Sequence, residues 1–410
     1  MVRERCGPAR RVAVTGVGAV SGFGWGIEPL WAGLSSGRAA IAGFGRFDHA
    51  GHRTHVAAEV PALPAALARR TSGRRLSIAD RFALSAAFEA LAAAGLPGDL
   101  AGEVAGVYFG SSTGGMWEGE RFIAGLLTAT PRLRTSLLAS QQVNGPGDAV
   151  ARRLGVSGPV ETLSSACASG GLALGAALDA LRAGEVDLAL AGGADSLCEI
   201  TYGGFNALRS VSEEPCRPFR AGRDGLSIGE GAAVLVLESE ERALERGARP
   251  LAFLAGAGAS CDAHHMTAPE PAGRGAAAAI RAALADAGLA PGEIDFVNAH
   301  ATGTPLNDAA EWRAFVEVFG ARAAGLPVTA TKGSIGHLLG SSGAIEAVAT
   351  VLCLRHDEVH PTPAGGEVDP ELPVDLVLGS PRPLAARAAL STSLAFGGSN
   401  AALVFTRAGA

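Results

Sequence analysis

The chain has 410 residues, of which 48% are hydrophobic and 18% charged, and its formal net charge is -6 at neutral pH. This length exceeds what one domain core usually accommodates, so we expect two similar domains or two fused halves. The acidic balance argues against general nucleic-acid binding, because phosphate contacts need a basic excess. No uninterrupted run of 18 apolar residues and no signal-peptide pattern occurs, so we expect a cytoplasmic protein without membrane spans.

Short β-branched runs predict strands at residues 11–15, 104–109, 160–163, 188–191 and 232–238. Alanine-rich segments, such as 78–94 and 172–183, predict helices between them. This alternation indicates a layered α/β fold. The stretch GVGAVSGFG from Gly16 imitates a dinucleotide-binding loop, but Ser21 replaces its third glycine and no acidic residue follows at the required distance. We therefore expect no nicotinamide cofactor.

Three segments recur in the same order along the chain. RRVAVTGVGAVSGFG is echoed by RPLAFLAGAGASCDAHH, GEVAGVYFGSS by GEIDFVNAHATG, and GPVETLSSACASG by LPVTATKGSIGH. Similar composition can produce one such pair, but three in register favour duplication. We expect an N-terminal half at residues 1–248 and a C-terminal half at 249–410.

The six cysteines are scattered without CxxC spacing, which predicts neither a zinc site nor a disulfide scaffold and indicates reduced thiols. One of them, Cys167, lies in SSACASG between a predicted strand and a predicted helix. Backbone amides at a helix N-terminus favour an anion, so this position predicts a lowered thiol pKa. Its small neighbours leave space for a substrate carbonyl. A buried structural thiol is the alternative.

Two motifs downstream supply further chemistry. VNAHATGTPLND places His300 just after an apolar strand, and TKGSIGHLLGSSGAIEA places Lys332 and His337 on a glycine-rich loop that enters a helix. Either histidine alone can be an ordinary core residue. In the repeat, however, the loops from Ala299 and Thr331 correspond to those ending at Ser111 and Cys167, so all four can converge on one pocket.

Over nearly its whole length the chain resembles the elongating β-ketoacyl-acyl carrier protein synthases of the thiolase superfamily. The resemblance rests on SSACASG, NAHATGTPLND, KGSIGHLLGSSGAIEA and SLAFGGSNAALVF, supported by CDAHHMTAPEPAG and PCRPFRAGRDGLSIGEGAA. It implies a thiolase-like fold in which two duplicated halves form an α-β-α-β-α core. It also implies a catalytic Cys-His-His set, whereas initiating synthases carry asparagine where His337 stands.

The resemblance implies two half-reactions. Cys167 accepts an acyl group from a thioester, with the backbone N–H groups of Cys167 and Phe396 as oxyanion donors. A malonyl thioester then loses carbon dioxide, and its carbanion attacks the acyl-enzyme while His300 and His337 donate hydrogen bonds to the enolate oxygen. Lys332 maintains the local charge balance, and we expect it to pair with Glu311.

Other family positions are expected to bind substrate and partner. Thr302 and Thr304 correspond to residues that contact the phosphopantetheine arm, with ordinary turn capping as the alternative. Thr113 corresponds to a position at the floor of the acyl pocket near the dimer interface. A basic cluster ahead of the helix at 78–94 is either a solvated loop or a docking surface for an acidic acyl carrier protein; it comprises Arg69, Arg70, Arg74 and Arg75.

The resemblance further implies no metal and no cofactor beyond the carrier's phosphopantetheine. It implies a homodimer, or a heterodimer with a chain-length subunit. Ala301 and Ala395 replace glycines of the usual family motifs, which predicts a stiffer or differently posed loop at Phe396 and favours a specialised polyketide or polyene pathway over ordinary fatty-acid synthesis. Two alternatives stay open. One is another thiolase-fold acyltransferase, although SLAFGGSN lacks the second catalytic cysteine that thiolases usually carry late in the chain. The other is a chain-length partner subunit, although such subunits typically lack the nucleophile.

Overall fold

The structure is a computed structural model that describes residues 10–409 except 70, 74, 132 and 364. Among the helices of this part of the chain, none combines the length and the apolar composition of a membrane span. Five of the six cysteines lie in the described part as free thiols, namely Cys167, Cys198, Cys216, Cys261 and Cys353. Cys6 lies outside it.

The strands and helices alternate along most of the chain. The strands are β1 (Val12–Ser21), β2 (Gly24–Trp25), β3 (Ala42–Gly43), β4 (Val56–Ala57), β5 (Ala105–Gly110), β6 (Val160–Leu163), β7 (Leu188–Asp195), β8 (Gly231–Ser239), β9 (Ala252–Cys261), β10 (Phe296–Asn298), β11 (Pro327–Thr329), β12 (Glu358–Val359), β13 (Asp375–Leu376), β14 (Arg382–Pro383), β15 (Ala388–Leu394) and β16 (Ser399–Arg407). The helices are α1 (Ile27–Ser35), α2 (Ala65–Ala68), α3 (Ile78–Ala93), α4 (Met116–Leu127), α5 (Gly145–Leu154), α6 (Ser169–Ala183), α7 (Glu199–Ala207), α8 (Glu240–Glu245), α9 (Arg274–Ala287), α10 (Pro305–Phe319), α11 (Lys332–Ile335) and α12 (Ser342–His356).

The central β-structure has a mirrored strand order. It runs β13-β11-β10-β15-β16-β9-β1-β8-β7-β5-β6, so that β11, β10, β15, β16 and β9 of the C-terminal part correspond to β6, β5, β7, β8 and β1. The division expected between residues 248 and 249 falls in the connection from α8 to β9.

Helices cover this β-structure in layers, as the α-β-α-β-α expectation requires. Helices α3 and α5 pack on the N-terminal strands, α9 packs on β9 and β16, and α6 and α12 pack against each other and against strands of both groups. The two β layers are not separate, because β1 and β9 pair antiparallel and join them along one edge. The thiolase-like α/β fold class is confirmed, with this continuous sheet as the added detail.

The predicted strands are found where the β-branched runs indicated them, but β1 continues to Ser21 instead of ending near Thr15. Its glycines explain the extension. A Cβ atom on Gly16 would lie 2.1 Å from the Ala90 carbonyl oxygen, and one on Gly18 would lie 2.0 Å from that of Ala86. These glycines therefore let α3 lie directly on the strand, and GVGAVSGFG is a packing surface within β1 and its turn.

Candidate active site

The predicted nucleophile and both predicted histidines line one cavity of about 380 Å³. One ligating atom each of Cys167, His300 and His337 lies within 4.8 Å of the others. All three side chains are buried. The N-terminal half supplies the cysteine and the C-terminal half supplies both rings, so the loops that follow corresponding strands converge as the repeat predicted.

Cys167 lies in the tight turn between β6 and α6. The preceding residue, Ala166, has a φ of 46°, which is left-handed backbone that non-glycine residues rarely adopt. The Ser169 hydroxyl donates to the Ala166 carbonyl and accepts from the Ser165 N–H. This turn presents the sulfur to the cavity just before the first turn of α6.

The prediction of a lowered thiol pKa is wrong for the free enzyme. Burial raises the pKa of Cys167 to about 11, although the Lys332 ammonium and the backbone N–H groups of Phe396 and Cys167 act in the opposite direction. Removal of the thiolate from water outweighs the favourable helix-end position. The same two N–H groups are the predicted oxyanion donors, and both interact with the sulfur.

His300 follows β10 and is held from two sides. Its backbone N–H donates to Glu311 Oε1 at 2.8 Å and to Thr392 Oγ1 at 3.1 Å. The Lys332 ammonium lies 3.0 Å from its Nδ1. An ammonium group is only a donor, so this ring nitrogen accepts and the ring proton is on Nε2.

The predicted Lys332–Glu311 pair is not formed. Lys332 pairs with Glu346 of α12, while Glu311 accepts from the backbone of His300 and Ala301 and from the Thr392 hydroxyl. Burial raises the pKa of both carboxyl groups to about 7, and the Lys332 ammonium opposes that rise at Glu346. Glu311 thus holds the loop of His300, and Glu346 balances the lysine charge.

Hydrogen bonds fix the ring of His337 in the same tautomer as that of His300. Its backbone N–H donates to the Ser227 carbonyl at 2.7 Å. The Leu339 N–H donates to its Nδ1 at 3.2 Å, and the Ser342 hydroxyl lies 2.7 Å from the same atom. The proton is therefore on Nε2, and this buried atom has no partner within the described residues.

Both rings are thus neutral donors that present an Nε2–H group. Burial and the Lys332 charge hold the pKa of His300 and of His337 well below the ordinary histidine value. The spacing of the cysteine and the two rings would also suit a metal ion, but a metal-bound histidine donates its second N–H to an acceptor. Here both Nδ1 atoms accept hydrogen bonds, and the proton of each ring is on Nε2. These rings are therefore suited to donate to an oxygen ligand rather than to bind a metal.

The remaining predicted positions differ in their placement. Thr302 and Thr304 line the cavity, with their hydroxyl oxygens 2.9 Å apart, and Thr304 also caps α10. Phe396 lines the cavity and packs against Phe205 of α7 at a ring distance of 5.6 Å. Thr113 is not among the lining residues, because its buried hydroxyl donates to Asp195 at 3.0 Å. The expected pocket-floor role of Thr113 has no support in this cavity.

The two alanines that replace family glycines differ in their backbone. Ala301 has a φ of 40°, so it occupies the left-handed region that glycine favours. Ala395 has a φ of -130°, which any residue adopts. Ala395 therefore does not support the stiffening expected for the loop of Phe396, and the alanine with unusual backbone lies instead in the loop beside His300. The loop of Phe396 instead obtains its unusual angles from Gly397 and Gly398, at φ 84° and 82°.

Within the predicted basic cluster, Arg69 and Arg75 are exposed, and Arg70 and Arg74 lie outside the described residues.

Sequence reasoning missed three residues that orient the catalytic groups: Glu346, Ser342 and Thr392. Glu346 carried a signal, because a lone carboxylate stands in the otherwise apolar helix SGAIEAVATVLCL. The serine and the threonine carried none, since hydroxyl side chains are frequent throughout the chain.

Comparison with known proteins agrees with this geometry. Nodulation protein E of Rhizobium meliloti (strain 1021) is 38% identical, over 97% of this chain and 99% of that protein. The 3-oxoacyl-[acyl-carrier-protein] synthase 2 of Synechocystis sp. (strain ATCC 27184 / PCC 6803 / Kazusa) is 37% identical, over 97% and 98% of the two chains. Among solved structures, the ishigamide ketosynthase/chain length factor superposes with a TM-score of 0.93 at 36% identity and covers 98% of this chain and all of that one.

The fold and the Cys-His-His cavity define a thiolase-like condensing acyltransferase. Residues 9–243 match the model of the β-ketoacyl synthase N-terminal domain, and residues 251–365 match that of the C-terminal domain. The chain belongs to the β-ketoacyl synthase family.

Proposed function

We propose that this protein elongates acyl chains by decarboxylative Claisen condensation with malonyl-acyl carrier protein, in fatty-acid or polyketide synthesis. The observation that carries the proposal is the pair of Nε2–H groups beside Cys167, both fixed by donors to Nδ1. The family relationship supports the reaction class, and the cavity supports the residue roles.

In the first half-reaction, the Cys167 sulfur attacks the thioester carbonyl of the acyl carrier. The S–H proton ends on the departing pantetheine thiol, so the step is balanced without an external acid. The thiol is neutral in the free enzyme, and negative charge develops on the carbonyl oxygen during attack. The N–H groups of Cys167 and Phe396 stabilise that oxygen.

In the second half-reaction, the bond from the malonyl α-carbon to its carboxylate breaks and carbon dioxide leaves. The electron pair forms an enolate, whose oxygen accepts hydrogen bonds from His300 and His337. The α-carbon then attacks the acyl carbonyl, and Cys167 leaves and recovers a proton. Carbon dioxide release drives the step, so we propose no metal or further cofactor.

Partner binding follows from the same proposal. Thr302 and Thr304 bind the phosphopantetheine arm where they line the cavity. The exposed Arg69 and Arg75, with Arg70 and Arg74, attract an acidic acyl carrier protein in the cytoplasm. Reversing the charge of Arg69 and Arg75 slows transfer from the carrier but not from a small pantetheine thioester. Equal slowing of both substrates rejects the docking role.

Assembly and pathway are also proposals. One solved relative, at 31% identity, is described as a type II polyketide synthase acyl-carrier protein in complex with its ketosynthase. Another is a ketosynthase in complex with its chain length factor. We propose a homodimer or a heterodimer of this kind, with a polyketide or polyene product. Efficient elongation of ordinary saturated acyl chains would contradict a specialised pathway.

The decisive experiment uses Cys167→Ala with a radiolabelled acyl carrier substrate. We expect no covalent label on this variant and full labelling of Cys353→Ala, whose thiol does not line the cavity. Undiminished labelling of Cys167→Ala excludes the acyl-enzyme. Wild-type enzyme that becomes labelled but releases no carbon dioxide from a malonyl thioester is an acyltransferase of another kind.

A further inference from the structure

We propose that Asp195 is a positioning residue that fixes the turn of Cys167 and the turn behind His337 relative to each other. The inference rests on the proposed function, because it assigns each turn to one half-reaction. Asp195 is the last residue of β7. Its side chain is completely buried, and it lies outside the residues that line the cavity.

One carboxylate oxygen organises the loop after β5. Asp195 Oδ1 accepts from the Ser111 hydroxyl at 2.7 Å and from the Thr113 N–H at 2.7 Å. It also accepts from the Ser112 N–H at 2.9 Å and the Gly114 N–H at 3.1 Å. This oxygen therefore holds four consecutive residues in one conformation.

That loop supports the nucleophile. The Ser112 hydroxyl donates to the Ala166 carbonyl at 3.1 Å. Ala166 immediately precedes Cys167 and has the strained φ of 46°. A hydrogen bond on its carbonyl fixes the peptide that leads into Cys167, and this forms the first arm of the Asp195 network.

The second oxygen of Asp195 reaches the other half of the chain. Oδ2 accepts from the Ser341 N–H at 3.2 Å, and it shares the Ser112 N–H with Oδ1, at 3.1 Å. The next residue, Ser342, places its hydroxyl 2.7 Å from His337 Nδ1. This forms the second arm, which ends on the ring that donates to the enolate.

The two arms are in direct backbone contact. A Cβ atom on Gly340 would lie 2.6 Å from the Ser112 backbone nitrogen. The loop after β5 and the turn before α12 therefore fit together without an intervening side chain. A carboxylate is suited to this junction because both of its oxygens accept hydrogen bonds, whereas a carboxamide has one acceptor oxygen.

This difference allows each arm to be broken separately. Asp195→Asn keeps an oxygen at the Oδ1 position, where the Ser112 N–H still finds an acceptor at 2.9 Å, and places an NH₂ group against the Ser341 N–H, which has no other contact to Asp195. Ser112→Ala keeps the Asp195 contacts of the backbone and removes only the donor to Ala166. Glu238→Gln is the matched control, because Glu238 is a buried carboxylate of β8 that pairs with Arg242 and Arg246.

The two half-reactions are measured on the full chain. Acylation of Cys167 is followed by rapid quench and mass spectrometry. Carbon dioxide release from malonyl-pantetheine is measured on enzyme that has been fully acylated beforehand. We expect Asp195→Asn to slow carbon dioxide release by about 10- to 100-fold and acylation by less than about threefold, since small misplacements of catalytic groups have effects of this size.

Ser112→Ala is expected to show the reverse pattern, and Glu238→Gln is expected to leave both rates unchanged. A purely structural role of Asp195 would instead lower both rates together with the melting temperature. Equal slowing of both steps by Asp195→Asn, or less than twofold effects, overturns the proposal. If Asp195→Asn does not fold, an unchanged acylation rate in Ser112→Ala overturns it. Wild-type enzyme that performs neither step rejects the proposed function instead.

Discussion

In the first half of the molecule, Gly16 and Gly18 let β1 lie against α3, and in the second half Gly256 and Gly258 do the same for β9 and α9. A Cβ atom on Gly256 would lie 2.4 Å from the Ala283 carbonyl oxygen, and one on Gly258 would lie 2.2 Å from that of Ala279. These distances resemble those of β1. The two halves thus use the same strand-to-helix packing.

Their chemistry differs at the ends of corresponding strands. The turn after β6 carries Cys167 among small residues, whereas the loops after β10 and β11 carry His300 and Lys332. The repeat therefore provides the geometry that brings four loops together, and the loop residues provide the reaction. It follows that substitutions in the strand-to-helix packing should have similar effects in the two halves. Substitutions in the loops should instead change the rate of one half-reaction more than that of the other.

The largest expected effect concerns the buried ion pair of the second half. Lys332→Met leaves Glu346 buried without its partner, and we expect the free energy of unfolding to fall by about 3–5 kcal/mol. The matched control is the exposed pair Arg281–Glu317, whose Arg281→Met variant should lose less than about 1 kcal/mol. Urea unfolding measures the free energy of unfolding of both variants and of the wild type. Similar losses in the two variants would contradict a balanced buried charge at Lys332.

The His337→Ala variant tests whether the two halves of the chain serve different half-reactions. We expect carbon dioxide release to fall by about 100- to 1000-fold, because one donor to the enolate oxygen is lost. Acylation of Cys167 should change only a few-fold, since its oxyanion donors are backbone N–H groups. His356→Ala, at a histidine that stacks on Trp31, is the control. A matching loss of acylation in His337→Ala would refute the separation.

Much of this comparison was accessible from the sequence. The strands, the repeat and the convergence of Cys167, His300 and His337 followed from periodicity and from the order of motifs. The Lys332 partner and the thiol pKa did not, because both depend on burial. Glu311 and Glu346 are both buried acidic residues on helices near the site, and only the three-dimensional path of α12 shows which one reaches the lysine.

A smaller effect is expected from His360, a buried histidine behind the loop of Lys332. It lies 3.1 Å from the Thr331 hydroxyl, and burial lowers its pKa to about 4. Because the folded state resists protonation, the unfolded state binds the extra proton below pH about 6.5, and stability falls as pH decreases. We expect this histidine to cost about 2 kcal/mol between pH 7 and pH 5.

The His360 contribution is isolated by comparison with His360→Gln. Buried Glu311 and Glu346 act in the opposite direction, because their raised pKa values make the folded state take up protons first as pH falls below about 7. These carboxyl groups are present in both proteins, so their effect cancels in the difference. The stability loss from pH 7 to pH 5 should be smaller in the variant by about 2 kcal/mol. If the free energy of unfolding falls equally in the two proteins from pH 7 to pH 5, His360 becomes protonated in the folded state.

The smallest expected effect separates the two alanines at family glycine positions. Ala301 has left-handed backbone and Ala395 has extended backbone, so only Ala301→Gly relieves strain. Both variants lose a methyl group and gain conformational entropy in the unfolded state, so these two effects cancel in the comparison. We expect Ala301→Gly to be more stable than Ala395→Gly by about 1–2 kcal/mol in urea unfolding. Equal stabilities would mean that the strain at Ala301 is relaxed, and the loop beside His300 would then be no stiffer than its glycine counterpart.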